Sequence, residues 1–175
     1  MNKVIISLFL IPLLAGCSLW GKDKQTNPTG ENNNNQVEDN KVVEGDLDYS
    51  DLNSAVGLEL PQALKGDLRL GAIRSSEGLD LPESMEGDLY LFSLTSAEGL
   101  NLPQTVKGNL YLNSLTSAKD LVLPKNISGD LDLSGLLSAD SLNLPEEVGG
   151  IVYLRSLKDS EKQTIKDQYP QLNIL

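Results

Sequence analysis

Histidine is absent from the 175 residues. Its absence removes Ser-His-Asp and Cys-His catalytic pairs, imidazole metal sites and any side chain that ordinarily titrates near neutrality. The single cysteine, Cys17, permits neither an internal disulfide nor a thiolate zinc cage. Positive charge is scarce: 14 Lys and Arg stand against 25 Asp and Glu, for a formal net charge of −11. Neutralising a phosphate backbone requires a basic surface, so nucleic acid is not an expected partner. Aromatic residues make up only 5% of the chain.

What is present begins with an export pattern. Lys3 precedes an apolar run from Val4 through Leu14, followed by Ala15-Gly16-Cys17. The run is too short to span a bilayer, and a basic start before a short apolar core is the pattern of a secretory signal. Leu14-Ala15-Gly16-Cys17 resembles a bacterial lipobox, with the one cysteine of the chain where that motif is modified. The resemblance implies a signal peptide over residues 1–16, cleavage before Cys17, a diacylglycerol thioether there and a further acyl chain such as palmitate on the new amine. Two or more such chains anchor a protein stably to a membrane, whereas one holds only marginally. The competing reading is an ordinary signal peptide with an incidental cysteine. Ser18, in place of Asp, resembles the outer-membrane default of lipoproteins in two-membrane bacteria, which implies a location in the cell envelope.

From Ser18 to about Glu44 the chain is dominated by Asn, Lys, Asp, Glu, Gly, Thr and Gln, with the run Asn32-Asn33-Asn34-Asn35 and no apolar periodicity. Such a segment buries too little surface to offset its conformational entropy, so residues 17–44 read as a lipidated N-terminus and tether. A flexible stretch of this length spans about 30 Å. Trp20, next to the anchor, suits a membrane interface as well as plain exposure.

A repeat follows. Gly45, Gly66, Gly87, Gly108, Gly129 and Gly150 recur with Pro61, Pro82, Pro103, Pro124 and Pro145, both at a period of 21 and without an insertion. Five full units run from Gly45 to Gly149 and a sixth begins at Gly150. In the third unit, Leu89-Tyr90-Leu91 and Leu100-Asn101-Leu102 alternate as strands do. Neither stretch can bury its leucines alone, so successive units must stack them. The expected inward set is Leu89, Leu91, Leu94, Ala97, Leu100, Leu102 and Val106, repeated as Leu110, Leu112, Leu115, Ala118, Leu121, Leu123 and Ile127. Glycine and proline read as corner residues, one for its backbone angles and the other for its missing donor. The expected fold is mainly β: a parallel solenoid of 21-residue coils over residues 45–157, capped by residues 158–175. Ser160 and Gln163 have capping-box spacing for a short helix to about Gln168, Pro170 ends it, and Leu172 to Leu175 return as a strand. Val42 and Val43 are candidate cap residues at the other end.

Thr95-Ser96, Leu100, Leu102-Pro103 and Val106 resemble the signature of bacterial leucine-rich repeats, in particular the surface-antigen class, from Gly45 to about Leu157. The chain departs from that family in its shorter unit, its Gly-Asp-Leu start and the lack of an Asn ladder. Both a curved horseshoe and a straighter solenoid remain compatible with the pattern.

Stacking turns each repeat position into a surface column. Asp46, Asp67, Asp88, Asn109, Asp130 and Ile151 follow the glycines, and these side chains are expected to accept turn amides at their own corner, with calcium as the rival reading. Ser54, Ser75, Ser96, Ser117 and Ser138 lack an activating base and read as a hydroxyl ladder between turns. No acid-base pair stands apart from the repeat, and neither catalysis, a cofactor nor a metal is expected. The least regular column reads Asp48, Arg69, Tyr90, Tyr111, Asp132 and Tyr153, with Phe92 and Asn113 nearby. Tyrosines with an arginine on a flat sheet suit recognition of a protein or a surface glycan, while cross-strand pairing alone is the plain alternative. The expectation is therefore a lipid-anchored binding module of the bacterial envelope, or else an envelope-maintenance lipoprotein with no specific ligand. Replacing Cys17 by Ser is expected to abolish incorporation of labelled fatty acid in the expressing cell; a variant that still labels would remove the anchor.

Overall fold

The structure, a computed structural model, describes residues 42–175. The lipobox, Cys17, Ser18, Trp20 and the asparagine run lie outside the described residues. Each 21-residue unit forms one coil with two short strands on either side of its Gly-Asp corner. Strands β1 (Val42–Glu44), β3 (Ala63–Lys65), β5 (Ser84–Met85), β7 (Thr105–Val106), β9 (Asn126–Ile127) and β11 (Glu147–Val148) form a six-stranded parallel sheet. Strands β2 (Leu47–Asp48), β4 (Leu68–Arg69), β6 (Leu89–Tyr90), β8 (Leu110–Tyr111), β10 (Leu131–Asp132) and β12 (Ile151–Tyr153) form a second sheet. The seventh strand of that sheet, β13 (Asn173–Ile174), pairs parallel with β12. The register advances by one repeat at every step, with Leu47, Leu68, Leu89, Leu110, Leu131 and Val152 in one row. Residues 42–175 thus form a parallel β-solenoid of about six turns.

Inside the coil the expected leucine columns are present. Leu89, Leu91, Leu94, Ala97, Leu100 and Val106 are buried, as are their counterparts Leu110, Leu112, Leu115, Ala118, Leu121 and Ile127. Leu102 and Leu123, expected among them, are half-buried against the same core.

The second strand of each unit lies elsewhere than expected. Leu100-Asn101-Leu102 pairs with nothing as a strand; the strand is Thr105–Val106, beyond the proline. Leu100 donates its amide to the Ala97 carbonyl at 3.0 Å and so closes a turn instead of starting a ladder. Each full coil contains two such turns, the first represented by the Leu94 amide on the Leu91 carbonyl at 3.2 Å.

The third residue of the second turn has positive φ in every coil: Gly57, Gly78, Gly99, then Asp120 and Ser141. That backbone favours glycine, and Asp120 and Ser141 occupy it at φ 62° and 63°. The corner glycines serve a different need. Of the six, only Gly45 has positive φ; a Cβ on Gly66, Gly87, Gly108, Gly129 or Gly150 would lie closer than 3.0 Å to the backbone of the preceding coil's glycine. Close approach of coils, rather than special backbone angles, requires glycine there.

The ends differ. At the C-terminus, α1 (Asp159–Gln168) buries Ile165 against the last coil, and β13 closes the second sheet. The capping box sits two residues before the expected one: Lys158 is the N-cap, and Glu161 accepts its amide at 3.3 Å. Glu161 also accepts the Ala139 amide at 3.1 Å, which ties the helix start to the fifth coil. A carboxylate reaching both groups serves the helix end better than Ser160 with Gln163, which turns instead to Asp167 at 2.8 Å. At the other end Val42–Glu44, expected as the close of the tether, pair with Ala63–Lys65. No helix of the described residues is long and apolar enough to cross a membrane.

Two substitutions separate the roles of the glycine columns. Gly108→Ala is expected to cost about 1–3 kcal/mol through a clash between coils, whereas Asp120→Gly relieves a left-handed backbone and should stabilise by up to about 1 kcal/mol. Thermal and urea unfolding monitored by circular dichroism measures both, and equal signs would refute the assignment.

Candidate binding face

The Gly-Asp corner fixes what the second sheet presents. Asp46 Oδ1 accepts the amide of Asp67 at 3.0 Å, Asp67 that of Asp88 at 2.9 Å and Asp88 that of Asn109 at 2.7 Å. Asn109 Oδ1 then accepts the Asp130 amide at 2.6 Å, and Asp130 that of Ile151 at 2.7 Å. These are rungs between coils, not the expected turns within one corner. Because glycine lets the backbones approach, a side chain as short as Asp reaches the next coil. Asn109 preserves the rung because its amide oxygen accepts equally well. Among the described residues no group of three or more acidic, Cys or His side chains is placed to hold a metal ion.

The serine column is also more local than expected. Ser54, Ser75, Ser96, Ser117 and Ser138 each accept the amide two residues on, at 3.1–3.3 Å, within their own turn. A hydroxyl on so short a stem closes its own turn more readily than it spans coils.

With Oδ1 spent on the rungs, the second carboxylate oxygens face the irregular column. Arg69 donates to Asp67 Oδ2 at 2.6 Å and to Asp46 Oδ2 at 3.5 Å, and its guanidinium lies 5.0 Å from the Tyr90 ring centroid. Tyr90 donates its hydroxyl to Asp88 Oδ2 at 2.9 Å, where Asn109 Nδ2 also donates at 3.1 Å. The rings of Tyr90 and Tyr111, one coil apart, stack at 4.9 Å and 10°. Phe92 meets both at 5.4 Å, with its ring inclined at 63° and 56°, and remains 41% exposed.

The structure thus brings Arg69, Tyr90 and Tyr111 into one contiguous cluster with Phe92. Asp132 is next in register to Tyr111, and Tyr153 is next to Asp132. Asp132 Oδ1 accepts the Ser134 amide at 2.9 Å, and Asp48 accepts the Ser50 amide and hydroxyl. Tyr153 pairs with Arg155, whose guanidinium lies 4.8 Å from its ring centroid. Sequence reasoning passed over the acidic corner residues as part of this face. The period of 21 carried that signal, since it sets every Asp opposite the amide of the next.

The face is electronegative. Partial burial, the hydrogen bond to Asp88 and the charges of Asp88 and Asp67 push the Tyr90 phenol up to about 12. Burial and the charges of Asp88, Asp130 and Asp132 also raise that of Tyr111. Comparison with known proteins finds no match: no family profile, no curated protein and no solved structure corresponds to this chain.

A phenol whose pKa is raised on folding stays protonated in the native state while the unfolded chain ionises, so stability falls as pH rises from about 10 toward 12. Absorbance titration of the phenolates should show Tyr90 ionising last, and Tyr90→Phe should remove that step and flatten the loss of stability. A titration unchanged in Tyr90→Phe would contradict the hydrogen-bonded geometry.

Proposed function

We propose that the protein is an exported, lipid-anchored module of the bacterial cell envelope that binds another protein through the column of Arg69, Tyr90, Tyr111, Asp132 and Tyr153. Cys17 is the lipid attachment point in this reading, and the outer membrane is the destination in a host with two membranes. Residues 18–41 set the repeat off from the lipid surface.

The observation that carries the binding reading is the gathering of Arg69, Tyr90, Tyr111 and the exposed Phe92 into one cluster on the second sheet. The glycine and proline columns hold a single residue type through the full coils, and the inward leucines vary little. The outward column changes from acidic to basic to aromatic, its Tyr90 and Tyr111 rings stack at 4.9 Å, and beside them Phe92 leaves 41% of its surface exposed. Between protein and glycan, the ring geometry favours protein. A sugar stacks on an open aromatic face, but the facing sides of Tyr90 and Tyr111 are spent on each other and Arg69 lies over the Tyr90 ring. What the cluster offers is ring edges, hydroxyls and the exposed Phe92, which suit the anchor-and-rim arrangement of a protein contact.

A photocrosslinking residue placed at Phe92, and separately at exposed Val122 outside both sheets, tests this in intact cells. The expected result is one discrete protein adduct from position 92 that is absent from position 122 and reduced at least tenfold by Tyr90→Ala with Tyr111→Ala. Equal products from both positions, or none, favour the envelope-maintenance alternative. Protease shaving of the same cells, with a periplasmic control for leakage, separates an external partner from one beneath the outer layer.

A further inference from the structure

Glycine at position 71 answers no need of the fold. Of the twelve glycines among the described residues, four have positive φ, and seven would drive a Cβ closer than 3.0 Å to the preceding coil. Gly71 belongs to neither group. Its φ is not positive, and a Cβ there would meet one atom within 4 Å, Phe92 Cδ2 at 3.7 Å, an ordinary van der Waals contact. Alanine would fit without strain, so neither backbone nor packing calls for glycine at this place.

What the missing side chain does is leave Phe92 uncovered. Gly71 and Phe92 hold the same repeat position in adjacent coils, two residues beyond Arg69 and Tyr90. The Phe92 ring meets Tyr90 and Tyr111 on coils three and four, both at 5.4 Å, while Gly71 on coil two adds no side chain to its other flank. Arg69, the long side chain of coil two, reaches toward Asp67 and Asp46 at the Asp corner, on the far side of Arg69 from Gly71. Phe92 stays 41% exposed beside a half-buried glycine. The result is a step in the sheet surface, with backbone for its floor and an aromatic ring for its wall.

We infer that this step seats an aliphatic side chain, such as leucine, from a basic segment of the protein partner. The inference deepens the binding-face reading and rests on it. A ring beside bare backbone offers apolar contact area and no charge, so what it can supply is the removal of an apolar side chain from water. The basic flanks follow from the rest of the face, whose corner and outward columns hold six aspartates against Arg69 and Arg155 alone. Such a field draws a cationic segment and penalises an acidic one.

The test uses the full chain and three pentapeptides: leucine with two lysines on each side, alanine with the same flanks, and leucine with two glutamates on each side. The chain holds two phenylalanines, Phe9 and Phe92, so fluorine-labelled phenylalanine reports on the step through a signal that Phe92→Leu identifies by its loss. The basic leucine peptide should shift that signal saturably, the alanine peptide should bind roughly tenfold more weakly, and the glutamate peptide should have no effect. Gly71→Ala should leave the melting temperature unchanged or raised, unlike Gly108→Ala, and still weaken the leucine peptide several-fold. Gly71→Val, which covers the ring flank, should abolish the shift in a protein that remains folded. Equal affinity for leucine and alanine, binding of the glutamate peptide, or a titration unaltered by Gly71→Ala would overturn the step. So would a melting temperature lowered as far by Gly71→Ala as by Gly108→Ala. In intact cells, a photocrosslinking residue at exposed Asn113 separates the two readings, and its adduct should be lost with Gly71→Val. An adduct that survives Gly71→Val but not Tyr90→Ala with Tyr111→Ala would overturn the step while leaving the binding face standing. No adduct from either Asn113 or Phe92, with the peptide titrations as expected, would do the reverse.

Discussion

Everything in this fold depends on how closely one coil can approach the next at the glycine corner. With no Cβ in the way, the backbone of one coil lies against that of its neighbour, as in the Gly129 amide donating to Gly108 at 3.1 Å. That approach brings the following Asp within reach of the next amide, and the resulting rungs run from Asp46 to Ile151 without interruption. Two-residue strands are too short to hold register by themselves. The rungs and the flanking ladders hold it together, while the leucines, stacked one repeat apart, fill the interior.

The same constraint shapes the surface. Once Oδ1 of each carboxylate is committed to a rung, its charge and second oxygen are turned toward the outward column. Arg69 and Tyr90 answer three of these oxygens, and Asn109 removes one charge in the middle of the series. Toward the C-terminal end Asp130 and Asp132 form no ion pair among the described residues, and the cation there, Arg155, lies over the Tyr153 ring. Exposed Glu44 with Lys65 and Glu86 with Lys107, at 3.0 and 2.9 Å on the other sheet, form regular pairs of the kind that contribute little to stability. The contrast makes the second sheet the more distinctive of the two.

Much of this was legible in the repeat. An indel-free period of 21 carried the stacking, the parallel register and the inward leucines, while the helix signals and Pro170 after Leu157 carried the terminal helix and the returning strand at Asn173–Ile174. Legibility failed where alternation alone was the guide. Leu100-Asn101-Leu102 alternates as a strand should, yet its first amide closes a turn, while Thr105–Val106, two residues that show no alternation, form the strand. The left-handed column was hidden because Asp120 and Ser141 replace glycine in the later coils. The helix start was displaced because Glu161 has a second task, binding the Ala139 amide in a different coil.

By itself the amino-acid sequence determined which residues occupy one column, since a fixed period places identical positions in line whatever the coil's cross-section. Which atoms meet within that column was decided only by the tertiary structure. Whether Asp88 closes its own corner or reaches Asn109, and whether Tyr90 opens its ring to solvent or stacks on Tyr111, depends on the separation of adjacent coils. That separation is set by backbone contact across the whole stack, a property no single repeat possesses.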